Sequence, residues 1–313
     1  MITKIHHILA PRRIVRQHYY FIKPFLPRYL QVLIRRRYLK AMRLLYPEWP
    51  TMKNSPVMPK GWSGWPRGKK FAFISTHDIE TEVGQGRCLQ LMNLDKEMGF
   101  VSSFNFVPER YKVSESIRSE IVRNGYEVGV HDLKHDGKLY FSRERFLQSA
   151  AKINEYLKSW HSVGFRSGSM HHNLEWLHTL DIEYDASTFD FDPFEPQQDG
   201  VNTIYPFWVE DNGTGRGYLE LPYTLPQDFT LFVLLKEKSI DLWKRKLDWV
   251  ASRGGMVLLI THPDYMNFGD KKIRFDEYPI RFYKELLQYV KTRYPDQYWN
   301  VVPCEVARNL YRS

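Results

Sequence analysis

The sequence predicts an α/β fold built on a parallel sheet or barrel, and three observations predict it. Short, nearly continuous apolar runs alternate with segments of helical periodicity. The chain has 313 residues, and the roughly 250 that alternate in this way suffice for one large core of the size usual for an α/β barrel. Titratable and metal-ligating residue types recur where one apolar run after another ends, which is where parallel α/β folds gather their chemistry.

The first 66 residues stand apart from the 67–313 body. Residues 1–70 hold sixteen Lys or Arg against a single acid, Glu48, a net +15. The remainder carries 29 basic and 35 acidic residues, so the body is mildly acidic although the whole chain has a net charge of +9. Leu30, Leu33, Ile34, Tyr38, Ala41, Met42 and Leu45 recur at helical spacing, with Pro27 near the helix start and Arg35, Arg36, Lys40 and Arg43 on other faces. A basic amphipathic helix preceded by Tyr19, Tyr20, Phe21 and Phe25 suits an anionic membrane surface through residues 1–45. The same pattern also suits a helix that packs its stripe on the domain behind it. No nucleic-acid-binding fold accompanies the patch, so no nucleic-acid partner is expected. Pro50, Pro56, Pro59, Gly61, Gly64 and Pro66 make residues 49–65 read as a linker.

The body then alternates. Residues 71–76 form an apolar strand, 82–99 a helix ending near Gly99, 101–107 a strand, and 114–124 a helix closed by Gly125. A strand over 126–131 leads to a long helix over 142–160, opened by a capping-box-like Ser142-Arg-Glu-Arg. Strands follow at 163–167 and 182–187, then an irregular stretch over 189–217 and a strand at 218–222. A helix near 239–253, a strand at 256–262, a helix near 277–292, a strand at 299–302 and a short helix complete the pattern. Neither a dinucleotide glycine fingerprint nor a phosphate loop follows the first strand, which sets aside the common nucleotide-binding α/β folds.

Composition narrows the setting. With 43% hydrophobic and 26% charged residues the chain is a folding sequence, not a disordered one. Two distant cysteines, Cys88 and Cys304, indicate neither a disulfide framework nor a zinc finger and fit a reducing compartment. No run of about 18 apolar residues occurs, and Arg12, Arg13 and Arg16 break any signal-peptide layout. The expectation is a cytoplasmic protein, peripheral on the inner face of the cell membrane.

The strand ends carry the chemistry. His77-Asp78-Ile-Glu80, His131-Asp-Leu-Lys-His135, Arg166, Asp185 and Thr261-His262 fall on successive strands at the same edge. In extended backbone, residues two apart point the same way, so Asp78 and Glu80 face one pocket, and two adjacent acids repel unless a cation or shared proton intervenes. His131 and His135, four apart, read as two rings on one side of a helical turn. Two imidazoles and one carboxylate, with positions left open for water, are the layout of a catalytic metal site.

These segments resemble the polysaccharide deacetylase family, the NodB-homology domain. Its Asp motif, HxxxH motif, Arg motif and late Leu-x-His motif look like Thr76-His-Asp-Ile-Glu80, His131-Asp-Leu-Lys-His135, Phe165-Arg-Ser-Gly168 and Leu258-Leu-Ile-Thr-His262, in that order across residues 70–305. The resemblance implies a distorted barrel of about seven parallel strands and a divalent metal, usually Zn2+. It implies Asp78 as the base that takes a proton from the water carried by the metal, and Glu80, His131 and His135 as metal ligands. Arg166 then holds the base, and His262 protonates the leaving amine. Asp185, His171 and Trp208 are the expected substrate contacts. Two features depart from the family pattern: Ile79 separates the acids, the second of which is Glu, and the Arg motif continues as Ser167-Gly-Ser-Met-His-His172 without proline and an aromatic.

The activity implied is hydrolysis of a carbon–nitrogen bond, removing an N-acetyl or N-formyl group from a glycan or lipid-linked sugar. Two alternatives keep the same fold: a catalytically inactive glycan-binding scaffold at the membrane, and a hydrolase of a non-sugar amide.

Overall fold

Nine consecutive buried residues, Phe71–Ile79, form strand β1, so the strand is covered on both faces, as its apolar run requires. It runs three residues beyond the expected end and carries His77 and Asp78 within the ladder. The computed structural model describes residues 25–52, 56, 58–59, 62–211, 217–269 and 272–311; the expectations for Tyr19, Tyr20 and Phe21 lie outside them.

After β1 come α2 (Glu82–Met98), β2 (Ser102–Phe106), α3 (Glu115–Arg123), β3 (Glu127–His131), α4 (Arg143–Trp160) and β4 (Gly164–Arg166). Then follow α5 (Leu174–Leu177), β5 (Tyr184–Asp185), β6 (Phe207–Glu210), β7 (Gly217–Glu220), α6 (Asp241–Ala251) and β8 (Met256–Thr261). The two-residue strands β9 (Met266–Asn267) and β10 (Tyr278–Pro279), α7 (Arg281–Arg293), β11 (Tyr298–Asn300) and α8 (Pro303–Tyr311) end the described chain, and α1 (Arg28–Leu45) precedes it all. Helix starts sit where the capping chemistry puts them: Thr81, Ser114 and Ser142 each accept a backbone N–H of the first turn, and Gly99 closes α2 in the left-handed region at φ 78°.

Strands β1, β2, β3, β4, β5 and β7 are neighbours in that order and parallel, and β8 pairs with β1 in parallel. Just past β7, Thr224 and Leu225 both donate their backbone N–H to Leu258 O of β8, at 3.1 Å each, which closes the seam. This is the distorted parallel barrel of seven strands. β11 adds to the start of β1, and β6 adds outside β7 as the antiparallel member. The stretch expected to be irregular over 189–217 thus contains a strand, and a π-helical turn at Phe229–Leu234 was not expected at all.

The period of two along each strand sorts side chains between two cores. Phe71 and Phe73 of β1 and Val257 and Leu259 of β8 pack outward with Leu91, Leu247 and Leu286 of the helices. Ala72, Ile74, Leu258 and Ile260 belong to the second, inner cluster, together with Leu219 and Leu221. Continuing the alternation places His77 beneath the helices, where it bonds Asp95 of α2 (3.1 Å), and Asp78 in the lumen. Register therefore aims the acid at the barrel axis.

Helix α1 docks on this body with the face opposite to its apolar stripe. Val32 and Leu39 are buried, Arg36 donates to Val233 O (2.9 Å) and Phe275 O (2.6 Å), and Arg43 lies over the Trp49 ring. Met42 alone of the expected stripe is drawn toward the core; Leu30, Ile34, Tyr38 and Leu45 are exposed. Within the stretch read as a linker, Trp49, Met52 and Trp65 are buried in the core.

Candidate metal centre

Four strand ends and the loops after them build the site. Asp78 is the penultimate residue of β1 and 2% exposed, and Glu80 follows the strand. His131 ends β3, Arg166 ends β4, and His262 follows β8. Ligand atoms of Glu80, His131 and His135 lie within 4.8 Å of one another. His135 Nε2 is 3.3 Å from Glu80 Oε1, and His131 Nε2 is 3.8 Å from Asp78 Oδ2. His262 Nε2 approaches from β8 to 3.9 Å from Glu80 Oε1. The six residues expected to carry metal chemistry and catalysis meet in one place.

The HxxxH segment is not a helical turn. Asp132 and His135 both adopt left-handed backbone, at φ 57° and 53°, and the loop is held by Asp132 instead. The Asp132 carboxylate accepts Leu133 N (2.6 Å) and Gly168 N (3.2 Å), while Asp132 N donates to Arg166 O (2.7 Å). Spacing of four brings the rings together at 4.8 Å between centroids, but through a folded loop whose polar groups replace the helix hydrogen bonds. Gly168 leaves room for it: a Cβ there would sit 2.5 Å from Asp132 Oδ2 and 2.9 Å from the His135 ring.

The donor set suits a divalent cation. His131 Nδ1 donates to Arg166 O (3.1 Å), an atom that can only accept, so the ring nitrogen left for a ligand is Nε2. That Nε2 is buried and has no hydrogen-bond partner among the described residues. A buried ring nitrogen without a partner costs free energy that a ligated ion would remove. At His135, Arg110 Nη1 lies 2.9 Å from Nδ1 and can only donate, which leaves the neutral ring's proton on Nε2 toward Glu80. Ligation through that nitrogen would require the other neutral tautomer, with the ring proton on Nδ1, and Arg110 would then have to turn away.

Two charges flank the three candidate ligands. Burial alone would raise the Asp78 pKa, but Arg166 Nη1 at 3.0 Å, the nearby His131 and His262, and the Asn105 amide at 2.9 Å hold it down at about 2. Burial opposes charging of His262, yet Asp228, which accepts from its Nδ1 at 2.7 Å, and the acids Glu80 and Asp78 raise its pKa to about 10. Glu80, although burial disfavours its charge, is held well below the usual carboxylate range by His135, His262 and Arg110. A carboxylate held charged thus stands beside His131, and an imidazole held protonated stands beside Glu80.

Several residues of the site gave little sign in the sequence. Asn105 stands near the end of β2, and alternation along that strand was the signal that it faces Asp78. Asp228 precedes the π-helical turn and bears no strand-end signal, yet it binds both the N–H and the ring of His262. Asp264 accepts Glu80 N (3.0 Å) and the Thr81 hydroxyl, and Tyr265 OH donates to Glu80 Oε2 (3.0 Å). Of the expected substrate contacts, Asp185 is fully buried, with its carboxylate bound by the Ser187 hydroxyl (2.7 Å) and backbone N–H (3.0 Å). It stands in the barrel wall, withdrawn from solvent. His171 is buried after the turn that follows Arg166, and Trp208 lies on the edge strand β6.

The barrel with this arrangement of strand ends is the polysaccharide deacetylase fold. A protein assigned as a polysaccharide deacetylase from Pseudomonas aeruginosa PAO1 superposes with a TM-score of 0.62 over 85% of this chain and 99% of its own, at 15% identity. One from Mycobacterium smegmatis gives 0.60 over 83% and 95%, at 18% identity, and Puue allantoinase gives 0.60 over 84% and 98%, at 13% identity. No family model matches the sequence, and no curated protein is significantly similar to it. At these identities the likeness is one of fold.

Proposed function

We propose that the chain is a metal-dependent hydrolase that removes an N-acyl group, acetyl or formyl, from a glycan or lipid-linked sugar, with zinc as the metal. One observation carries the reading: a carboxylate–imidazole–imidazole donor set has a buried anionic Asp78 and a buried cationic His262 next to it. Zinc matches two nitrogens and one oxygen with positions left open. When bound, such a cation polarises a carbonyl oxygen and makes bound water more acidic.

The chain's own residues supply the proton transfers. Asp78, held by Arg166 and Asn105, takes a proton from the attacking water as the new C–O bond forms. His262, kept protonated by Asp228, gives its proton to the leaving nitrogen as the C–N bond breaks. Water is consumed, the proton taken by Asp78 passes on to the products, and a carboxylate and a protonated amine result. Two of the proteins sharing the fold are assigned as polysaccharide deacetylases, which supports a sugar amide; the allantoinase among them makes a non-sugar amide the second reading. An inactive scaffold is disfavoured because Glu80, despite its extra methylene and the intervening Ile79, reaches His135.

Chelator-stripped protein titrated with zinc in a calorimeter is expected to take up one equivalent and then release acetate or formate from N-acylated amino sugars. His131→Ala should weaken zinc binding by at least about 100-fold and abolish turnover together. Full turnover by a His131→Ala, His135→Ala double variant would defeat the proposal.

A further inference from the structure

Helix α1 is inverted relative to the usual surface helix. Arg28, Arg35, Arg36 and Arg43 turn toward the body, where Arg28 and Arg35 lie over the Phe229 ring at 5.4 and 5.0 Å, Arg36 bonds two backbone carbonyls and Arg43 lies over Trp49. Beyond Val32, Leu39 and Met42, large apolar side chains of the helix turn outward: Leu44 is 82% exposed, Leu45 69%, Ile34 54% and Tyr38 51%. Among the described residues, seven of the thirteen exposed large hydrophobic side chains fall within residues 25–45, so the surface apolar area is concentrated, not scattered. Tyr29 extends this face to Phe275, edge to ring at 5.6 Å, and Ile273 beside it is exposed as well. The docked interface uses the opposite face, so packing on the body does not account for the stripe.

We infer that this face docks on a lipid bilayer carrying anionic headgroups. Charge decides between the candidate occupants. Residues 1–70 have a net charge of +15, whereas the rest of the chain is net negative, so the molecule is oriented electrostatically with α1 toward an anionic surface. A contact between two copies would set Arg37 and Lys40 of one stripe against the same residues of the other, a like-charge arrangement. An apolar strip flanked by Arg37, Lys40 and Lys236 has instead the pattern of an interfacial helix. Two hydrogen bonds tie it to the candidate metal centre: Arg28 Nη2 donates to Tyr265 OH (3.1 Å), and Tyr265 OH donates to Glu80 Oε2 (3.0 Å). Docking therefore holds the site at the lipid surface, where a lipid-linked sugar presents its headgroup; this last step rests on the hydrolase reading, whereas docking does not.

Co-sedimentation of the full chain with phosphatidylcholine vesicles, with and without phosphatidylglycerol, tests it. The protein should pellet with the anionic vesicles, and binding should weaken with salt. Substituting two outward residues, Ile34→Asp with Leu44→Asp, should reduce partitioning by about tenfold or more while the thermal transition and zinc uptake stay unchanged. Absence of binding by the unsubstituted chain overturns the inference. So does unchanged binding by the double variant, which would put the contact elsewhere, or a dimer in sedimentation that the double variant dissolves. Loss of zinc uptake in His131→Ala with vesicle binding intact bears on the hydrolase reading alone.

Discussion

Asp78 stays charged because its neighbours outweigh its burial, and the balance has a measurable consequence. Its pKa is depressed to about 2, so its contribution to stability is present above the unfolded value near 3.9 and is lost as pH falls toward about 2. In chelator-treated protein, the unfolding free energy should drop between pH 5 and pH 2 by about 2 kcal/mol more in the unsubstituted chain than in Asp78→Asn. Equal slopes would contradict the assignment. The same substitution should lower kcat by about 10² to 10⁴. His262 moves in the opposite sense, since Asp228 raises its pKa. Asp228→Asn should shift the His262 titration downward by NMR and carry the alkaline limb of the rate profile to lower pH with it; an unmoved titration would show that Asp228 does not govern the acid. Asp78, Glu80, His131, His135, Arg166 and His262 were legible in the sequence because all stand at or just beyond strand ends. Asp228 was not, because a residue that acts through another carries neither periodicity nor a strand end. Asp185 also ends a strand, and there its carboxylate is bound by Ser187.

At the scale of elements, the loop after β3 depends on the turn after β4. Asp132 binds Gly168 N, and both Asp132 and His135 crowd the space that a side chain at position 168 would need. Gly168→Ala should therefore cost about 1–3 kcal/mol in thermal or denaturant unfolding and weaken zinc binding by about 10- to 100-fold, although the substituted residue is no ligand. Undiminished zinc affinity would mean that His135 is positioned by something else. The helices over 82–98, 115–123 and 143–160 were read from the sequence within a residue or two because Thr81, Ser114, Ser142 and Gly99 punctuate them. The HxxxH loop was misread as helical because a spacing of four is shared by a helix and by a loop with left-handed residues at Asp132 and His135. The strand β6 was missed because its residues are only half-buried at a sheet edge, where alternation is weak.

For the molecule as a whole, Arg166 joins the wall across the lumen. Its guanidinium reaches Ala186 O after β5 and both Thr76 Oγ1 and Asp78 Oδ1 on β1. Replacing it by Met strands Asp78 in a buried site without its cation, and the expected loss is about 3–5 kcal/mol of stability by denaturant titration. A change below about 1 kcal/mol would show that the pair is dispensable to the barrel. The barrel and the charged N-terminal helix were both visible in the sequence, but not which face of α1 meets the body. Hydrophobic spacing marks a stripe without saying what covers it, and here arginines stacked on Phe229 and Trp49 took the inner face. All of this turns on whether one cation binds where β1 and β3 end. A crystal structure of the zinc-loaded protein, with anomalous scattering recorded at the zinc edge, measures that directly. The predicted result is a single strong peak at roughly 2.0–2.2 Å from an oxygen of Glu80 and a ring nitrogen of each of His131 and His135; a peak elsewhere, or none at these three residues, would contradict it.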